Sequence, residues 1–197
     1  MINSLRNTLI KLSLAPTEFR LLNGSAPIVL GLGGENDGIN HTKLVGFLDR
    51  SPGGGTPLCR HINEIIPQIQ AAKDQLLQNG QKAVVIIATD GESSDGDIAR
   101  AMIPLQSLPV NVVIRLCTND DKVCEYWNNI DNQLELEIDV LDDLQSEANE
   151  IFELNPWLIY ADPIHRLREF GIPNKEFDIV DEVKLSSEQL KNVIHFM

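Results

Sequence analysis

The sequence predicts an α/β fold: a doubly wound, mostly parallel sheet with helices on both faces. Three observations carry that expectation. Ala83 to Ala88 and Val110 to Leu116 are short, apolar, β-branched runs of the kind that form strands buried on both faces. Long three- and four-residue apolar periodicities lie between and around them, so strand and helix alternate along the chain. An Asn23-Gly24 pair between two short apolar stretches, Glu18 to Leu22 and Pro27 to Leu32, signals one antiparallel hairpin in the otherwise parallel arrangement.

The elements follow in order. After the hairpin, Gly33 to Gly38 reads as a loop and His41 to Leu48 as a short helix. The run Ser51-Pro52-Gly53-Gly54-Gly55-Thr56-Pro57 then opens a long helix in which Leu58, Ile62, Ile65, Ile66, Ile69, Ala72, Leu76 and Leu77 recur at three- and four-residue spacing, ending at Asn79-Gly80. Thr56 is placed to cap it, with Pro57 at the first helical position. Pro67 must forfeit the bond to the Asn63 carbonyl and predicts a bend or break.

Ala83 to Ala88 reads as a central strand, ending in the polar loop Thr89 to Asp97. A helix over Asp97 to Gln106, the strand Val110 to Leu116, and a helix capped by Asp120 or Asp121 come next. Leu134 to Val140 alternates acidic with apolar residues, so it reads as a half-exposed edge strand, and Leu141, Leu144, Ala148, Ile151 and Phe152 line one side of the helix after it. Residues 1–154 make the α/β domain. Residues 155–197 make a mostly helical extension packed on it, with short helices around Trp157 to Tyr160 and Ile164 to Phe170 and a capping box from Ser186 to Gln189.

Charge narrows the function. The 197 residues carry 16 basic and 29 acidic side chains, a net charge of −13, which argues against nucleic acid or an anionic membrane as partner. The excess is concentrated in the second half. Asp131 to Glu153 holds nine carboxylates (Asp131, Glu135, Glu137, Asp139, Asp142, Asp143, Glu147, Glu150 and Glu153) and no basic residue, and reads as a solvated face or as a docking surface for a basic protein partner. No apolar run reaches the roughly 18 residues of a membrane span, and residues 1–11 lack the apolar core of a signal peptide. Cys59, Cys117 and Cys124 form no Cys-x-x-Cys pair and cannot all pair with one another, which places the chain in a reducing, cytoplasmic compartment; Cys117 and Cys124 read as small buried hydrophobes.

In an open α/β sheet the site lies at the carboxyl ends of the strands. That rule selects the loops Gly53 to Thr56 and Asp90 to Asp97. Thr56 and Asp90 offer a hydroxyl and a carboxylate beside a helix N-terminus, oxygens of the type a hard cation such as Mg²⁺ takes; the local alternative is that Thr56 only caps its helix and Asp90 only ends its strand. His41, His61, His165 and His195 are scattered, and His61 reads as a helix-flank residue. The glycine runs do not spell a nucleotide-binding loop.

Gly54-Gly55-Thr56-Pro57-Leu58, followed after a long helix by Val84-Val85-Ile86-Ile87-Ala88-Thr89-Asp90-Gly91-Glu92, resembles the second and third motifs of von Willebrand factor A-like domains. The resemblance covers about residues 1–153. It implies a metal-ion-dependent adhesion site in which Thr56 touches the cation and Asp90 holds it through water; apart from the resemblance, Ser93 and Asp95 in the same loop are the first candidates for a further ligand. The family's first motif, Asp-x-Ser-x-Ser after a first central strand, occurs nowhere in the chain. Residues 3–15 look like the tail of the helix that follows that strand, so the site is degenerate and Mg²⁺, the one cofactor implied, is weakly held.

The function expected is therefore a non-enzymatic protein-interaction domain. The alternative is a metal-dependent hydrolase of a phosphorylated or acyl substrate, suggested by Asp90-x-Glu92, although Lys82 falls at the opposite end of the strand from any phosphate. A missing first strand leaves three ways to close the sheet: direct pairing of Glu18 to Leu22 with Val84 to Ala88, filling by residues 155–197, or a strand from a second chain in an oligomer. Direct pairing is the expectation.

Overall fold

The computed structural model describes residues 16–24, 26–31, 35–49, 53–171 and 174–196. The expected helix tail at 3–15, Leu32 to Gly34 of the first loop and Ser51-Pro52 of the glycine run lie outside them.

The fold is mixed α/β, with helices flanking a small parallel sheet and a separate two-stranded antiparallel sheet beside it. The hairpin pairs β1 (Thr17–Phe19) with β2 (Ile28–Leu30), with Phe19 opposite Ile28. Both strands are shorter than expected, because the chain already turns at Leu21, whose carbonyl accepts the Gly24 N–H at 3.0 Å. Helix α1 (Glu35–Leu48) begins six residues earlier than its apolar pattern and includes Gly38; with β2 it encloses a small core of Ile28, Leu30 and Leu44, flanked by Phe19 and Phe47.

Helix α2 (Leu58–Gln78) runs unbroken through Pro67. Asn63 and Pro67 both face solvent, so the carbonyl that loses its donor keeps water instead. It leads into β3 (Ala83–Thr89), then α3 (Ile98–Met102) continued by a 3₁₀ turn (Ile103–Ser107), β4 (Val110–Leu116), α4 (Asp121–Gln133, capped by Asp120), β5 (Ile138–Leu141) and α5 (Leu144–Leu154, capped by Asp143). In the parallel sheet β3-β4-β5, Val85 lies opposite Val112, and Val112 opposite Ile138.

Every residue of β4 is buried, as a strand with neighbours on both edges and layers on both faces requires. Val110, Val112, Ile114 and Leu116 face the main core with Leu58, Ile62 and Ile69 of α2, Ile98 and Met102 of α3, and Trp127 and Ile130 of α4. Val113 and Arg115 point to the opposite face, which α6 (Asp162–Glu169) crosses. Helices α7 (Lys175–Asp178) and α8 (Ser187–Phe196) complete the chain. Phe177, Val180, Leu185 and Val193 share a second core with Ile151 of α5, Leu158 and Tyr160. Trp157 to Tyr160 is not the short helix expected but the end of a turn and an irregular stretch.

Three expectations about the sheet fail. Among the described residues β3 pairs only with β4, and no hydrogen bond joins it to β1, so the hairpin has not moved in to pair with Val84 to Ala88. Among the described residues β3 is therefore an edge rather than a central strand, with Val84 43% exposed. Residues 134–137 lie outside β5, which begins at Ile138. No described helix is long and apolar enough to cross a membrane.

Candidate functional site

The loops selected from the sequence meet at the carboxyl end of the sheet. Gly54 has φ +97°, a conformation glycine adopts without strain. The Asn23 amide, in the hairpin turn, donates to the carbonyls of Gly53 and Gly55 at 2.9 and 2.6 Å. On the other side a Cβ on Gly55 would sit 2.8 Å from the Ser94 hydroxyl, so the loops approach closely only because this residue is glycine. Thr56 N–H donates to Ser94 Oγ at 2.7 Å, and Ser94 N–H donates to the Thr56 carbonyl at 2.8 Å. The two loops are thus bonded through Thr56, as their shared position at the strand ends requires.

Thr56 does not cap α2. The cap residue by geometry is Pro57, with no side-chain bond. The capping group comes from the other loop: the Asp95 carboxylate accepts the N–H groups of Cys59 and Arg60 at 3.0 and 2.9 Å. The Ser93 hydroxyl donates to Asp95 at 2.9 Å and lies 3.4 Å from Cys59 Sγ. Partial burial would raise the Asp95 pKa, but the N–H groups of Arg60 and Cys59 and the Ser93 hydroxyl outweigh it and hold the carboxyl below its ordinary range. Asp97 caps α3 through the Arg100 N–H at 3.1 Å.

Asp90 differs from its neighbours. Thr89 Oγ1 bonds both the N–H and the carbonyl of Gly91, at 3.2 and 3.0 Å, and Trp127 Nε1 donates to the same carbonyl at 3.3 Å, so the first turn of the loop is pinned against α4. Asp90, between the pinned residues, is exposed with no hydrogen bond or ion pair among the described residues, and Glu92 is exposed beside it. The structure therefore joins Ser93 and Asp95 at the start of α2, holds Thr56 beside them through its backbone bonds to Ser94, and leaves Asp90 without a hydrogen bond among the described residues. Among the described residues no group of three or more His, Cys, Asp or Glu side chains is arranged to hold a metal ion. His61 bonds the Leu22 carbonyl at 2.9 Å, as a helix-flank residue does.

A second polar cluster had no signal in the sequence. Arg168 on α6 is 1% exposed and donates to three carboxylates: Asp139 of β5 at 2.8 Å, Glu147 of α5 at 2.8 Å and Asp181 at 2.9 Å. Beside it Arg115 of β4 donates to Glu169 at 2.8 Å and to the carbonyls of Leu116, Leu141 and Asp142. One guanidinium cannot balance three carboxylates. Burial pushes Asp139 up to about 6 and Glu147 up to about 8, with Arg168 opposing both shifts. Burial, reinforced by the charges of Arg115 and Arg168, pulls His165 down to about 4; its Nδ1 lies 3.0 Å from the Tyr160 hydroxyl.

The acidic stretch 131–153 is thus not a uniformly solvated face. Asp139 and Glu147 turn inward to an arginine of the chain itself, while Glu135, Glu150 and Glu153 remain exposed and Glu137 pairs with Lys82. Cys117 is exposed and only Cys59 of the three thiols is buried, which corrects the reading of Cys117 as a core residue.

Only proximity in space, not spacing in sequence, could have revealed Arg168, Asp181 and the Asp95 cap, since their partners lie 13 to 36 residues away. Comparison of the chain with protein-family models, curated proteins and solved structures gives no match.

Proposed function

We propose that the chain is a non-catalytic protein-interaction domain of von Willebrand factor A-like, doubly wound design lacking the first central strand, and that its loop end meets a basic protein partner through Asp90 and Glu92. The observation that carries this reading is the division of labour in the loop 90–97. Asp95 and Asp97 are spent on capping helices, while Asp90 and Glu92 are exposed on a turn held rigid by Thr89 and Trp127. A rigid display of carboxylates lowers the ordering cost of binding a cationic group.

Neither Asp90 nor Glu92 has a histidine, lysine or arginine bonded to it among the described residues, and an acid–base or nucleophilic mechanism needs such a partner within reach. A cation held between Thr56 and Asp90 would act in the same reading as a bridge to a partner carboxylate. With Ser93 and Asp95 engaged in the cap, such a cation draws on two protein oxygens and is weakly bound.

The test is a photo-crosslinking residue at Glu92 in the full chain, expressed in its native cells. The expected result is a discrete crosslinked polypeptide that Asp90→Lys abolishes. Mg²⁺-dependent hydrolysis of p-nitrophenyl phosphate or acetate, lost in Asp90→Asn, would overturn the reading in favour of a hydrolase.

A further inference from the structure

The two edges of the parallel sheet are built differently. The β5 edge is short, four residues, and carries Asp139, with Glu135 and Glu137 just before it, the charged features that keep a sheet edge from pairing. The β3 edge is seven residues long and its sequence, Ala83-Val84-Val85-Ile86-Ile87-Ala88-Thr89, holds no charge, proline or glycine.

The Ala83 N–H donates to Pro109 and the Thr89 carbonyl accepts from Cys117, both toward β4. Because backbone groups alternate along a strand, Val84, Ile86 and Ala88 direct their N–H and C=O groups to the outer edge. No hydrogen bond among the described residues reaches that edge. Val84 and Ala88 also expose their side chains, although a strand of this composition suits burial on both faces.

The hairpin frames the space beside it. Arg20 pairs with Glu64 of α2, and the Leu22 carbonyl accepts from Arg60 at 2.8 Å, so β1 ascends as the numbering of α2 descends. β3 follows α2 through the turn at Asn79-Gly80 and returns along it, toward Ser93 to Asp95 at the start of α2. β1 and β3 therefore run in the same direction along one helix, without bonding each other. Half-buried Ile65 and Ile66 of α2 pack against the main core. At the carboxyl end of the edge stand Asp90 and Glu92, exposed.

We propose that the outer edge of β3 accepts a strand from a partner polypeptide: an extended segment, apolar over the length of β3 and basic at the end that meets Asp90 and Glu92. The unmatched backbone groups of Val84, Ile86 and Ala88 supply the ladder, the apolar faces select β-branched side chains, and the carboxylates fix the end and direction. The basic end rests on the loop reading above; the ladder does not.

The probe is a soluble peptide of alternating valine and threonine, as long as β3 and ending in two lysines, added to the full chain and followed by amide hydrogen exchange. The expected result is protection of Val84, Ile86 and Ala88 by at least tenfold. That protection is lost when the peptide is N-methylated at alternate residues, and lost in Ala88→Pro, a change at a position whose N–H is not used by β4. In Asp90→Asn with Glu92→Gln, peptide affinity falls severalfold while saturating protection persists. Unchanged affinity there overturns the basic-end assignment and leaves the edge standing.

No protection by the peptide overturns the proposal. Slow exchange of these three amides in the chain alone also overturns it, showing the edge already covered: by a second copy if sedimentation gives a dimer that Ala88→Pro dissociates, by the chain itself if it gives a monomer.

Discussion

Asp95 accepts the backbone N–H groups of Cys59 and Arg60 from 36 and 35 residues away, so the loop after β3 supplies the cap that α2 lacks in its own sequence. Asp95→Ala removes it, and the expected loss is about 1 kcal/mol, in the range for helix N-caps. Asp95→Asn recovers most of that loss, because its carbonyl still accepts. Urea denaturation of the three proteins checks the order; equal midpoints for Ala and wild type would show the cap to be idle.

Arg168→Met leaves Asp139 and Asp181 without their counter-charge and Glu147 without its hydrogen-bond donor. The expected cost is about 3–5 kcal/mol, the range for breaking one side of a buried ion pair. Adding Asp139→Asn and Glu147→Gln to Arg168→Met should restore part of it, since neutral amides carry a smaller desolvation penalty. Thermal melts of the single and triple variants give the comparison.

The pH dependence follows from Glu147 and His165. Glu147 titrates near 8 in the folded chain against an ordinary value of 4.5, so folding holds its proton, and the stability it contributes is fully present below 4.5 and is lost as pH rises toward 8. His165 works in the opposite direction: its folded value near 4 lies below 6.5, so its contribution grows from pH 4 to 6.5 and is then constant. Between pH 6.5 and 8 the Glu147 effect remains, and stability should fall by about 1–2 kcal/mol. Glu147→Gln should flatten the slope, measured by urea denaturation at both pH values.

Gly171 ends α6 with φ +67°, and a Cβ there would lie 2.6 Å from Val84 Cγ1. Gly171→Ala should cost more than about 1 kcal/mol, from the backbone and the clash together. Val84→Ala in that background should return the clash component and leave the backbone component, a separation that a double-mutant cycle reads directly.

Asp90 makes no hydrogen bond or ion pair among the described residues, so Asp90→Asn should change stability by less than about 0.5 kcal/mol. Calorimetric titration with Mg²⁺ should show no micromolar site in either protein. A micromolar site lost in Asp90→Asn would show that a third oxygen joins Thr56 and Asp90.

What could be read from the sequence was local. β4 occupies the residues its apolar run marks, Asp120 caps α4, and Ser186 and Gln189 exchange the two bonds of a capping box. The apolar run of β3 was equally legible as a strand, but composition reports what a strand is suited to border, not whether a neighbour is there; hence the central strand of the pattern is an edge among the described residues. The extra turns of α1 were hidden by Gly38, a residue that normally argues against a helix interior. At the site, the sequence located the two loops but assigned the cap to Thr56, because Thr-Pro before an apolar periodicity is a local signal and the carboxylate of Asp95 arrives from another element.

The arginine cluster also sets a timetable for biosynthesis. Arg168 leaves the ribosome 29 residues after Asp139 and 21 after Glu147, an interval of a few seconds at about 5–20 residues per second. Until then both carboxylates belong in water, and the sheet face that carries Asp139 cannot close. A nascent chain interrupted before residue 168 would lack the guanidinium that Asp139, Glu147 and Asp181 share in the fold.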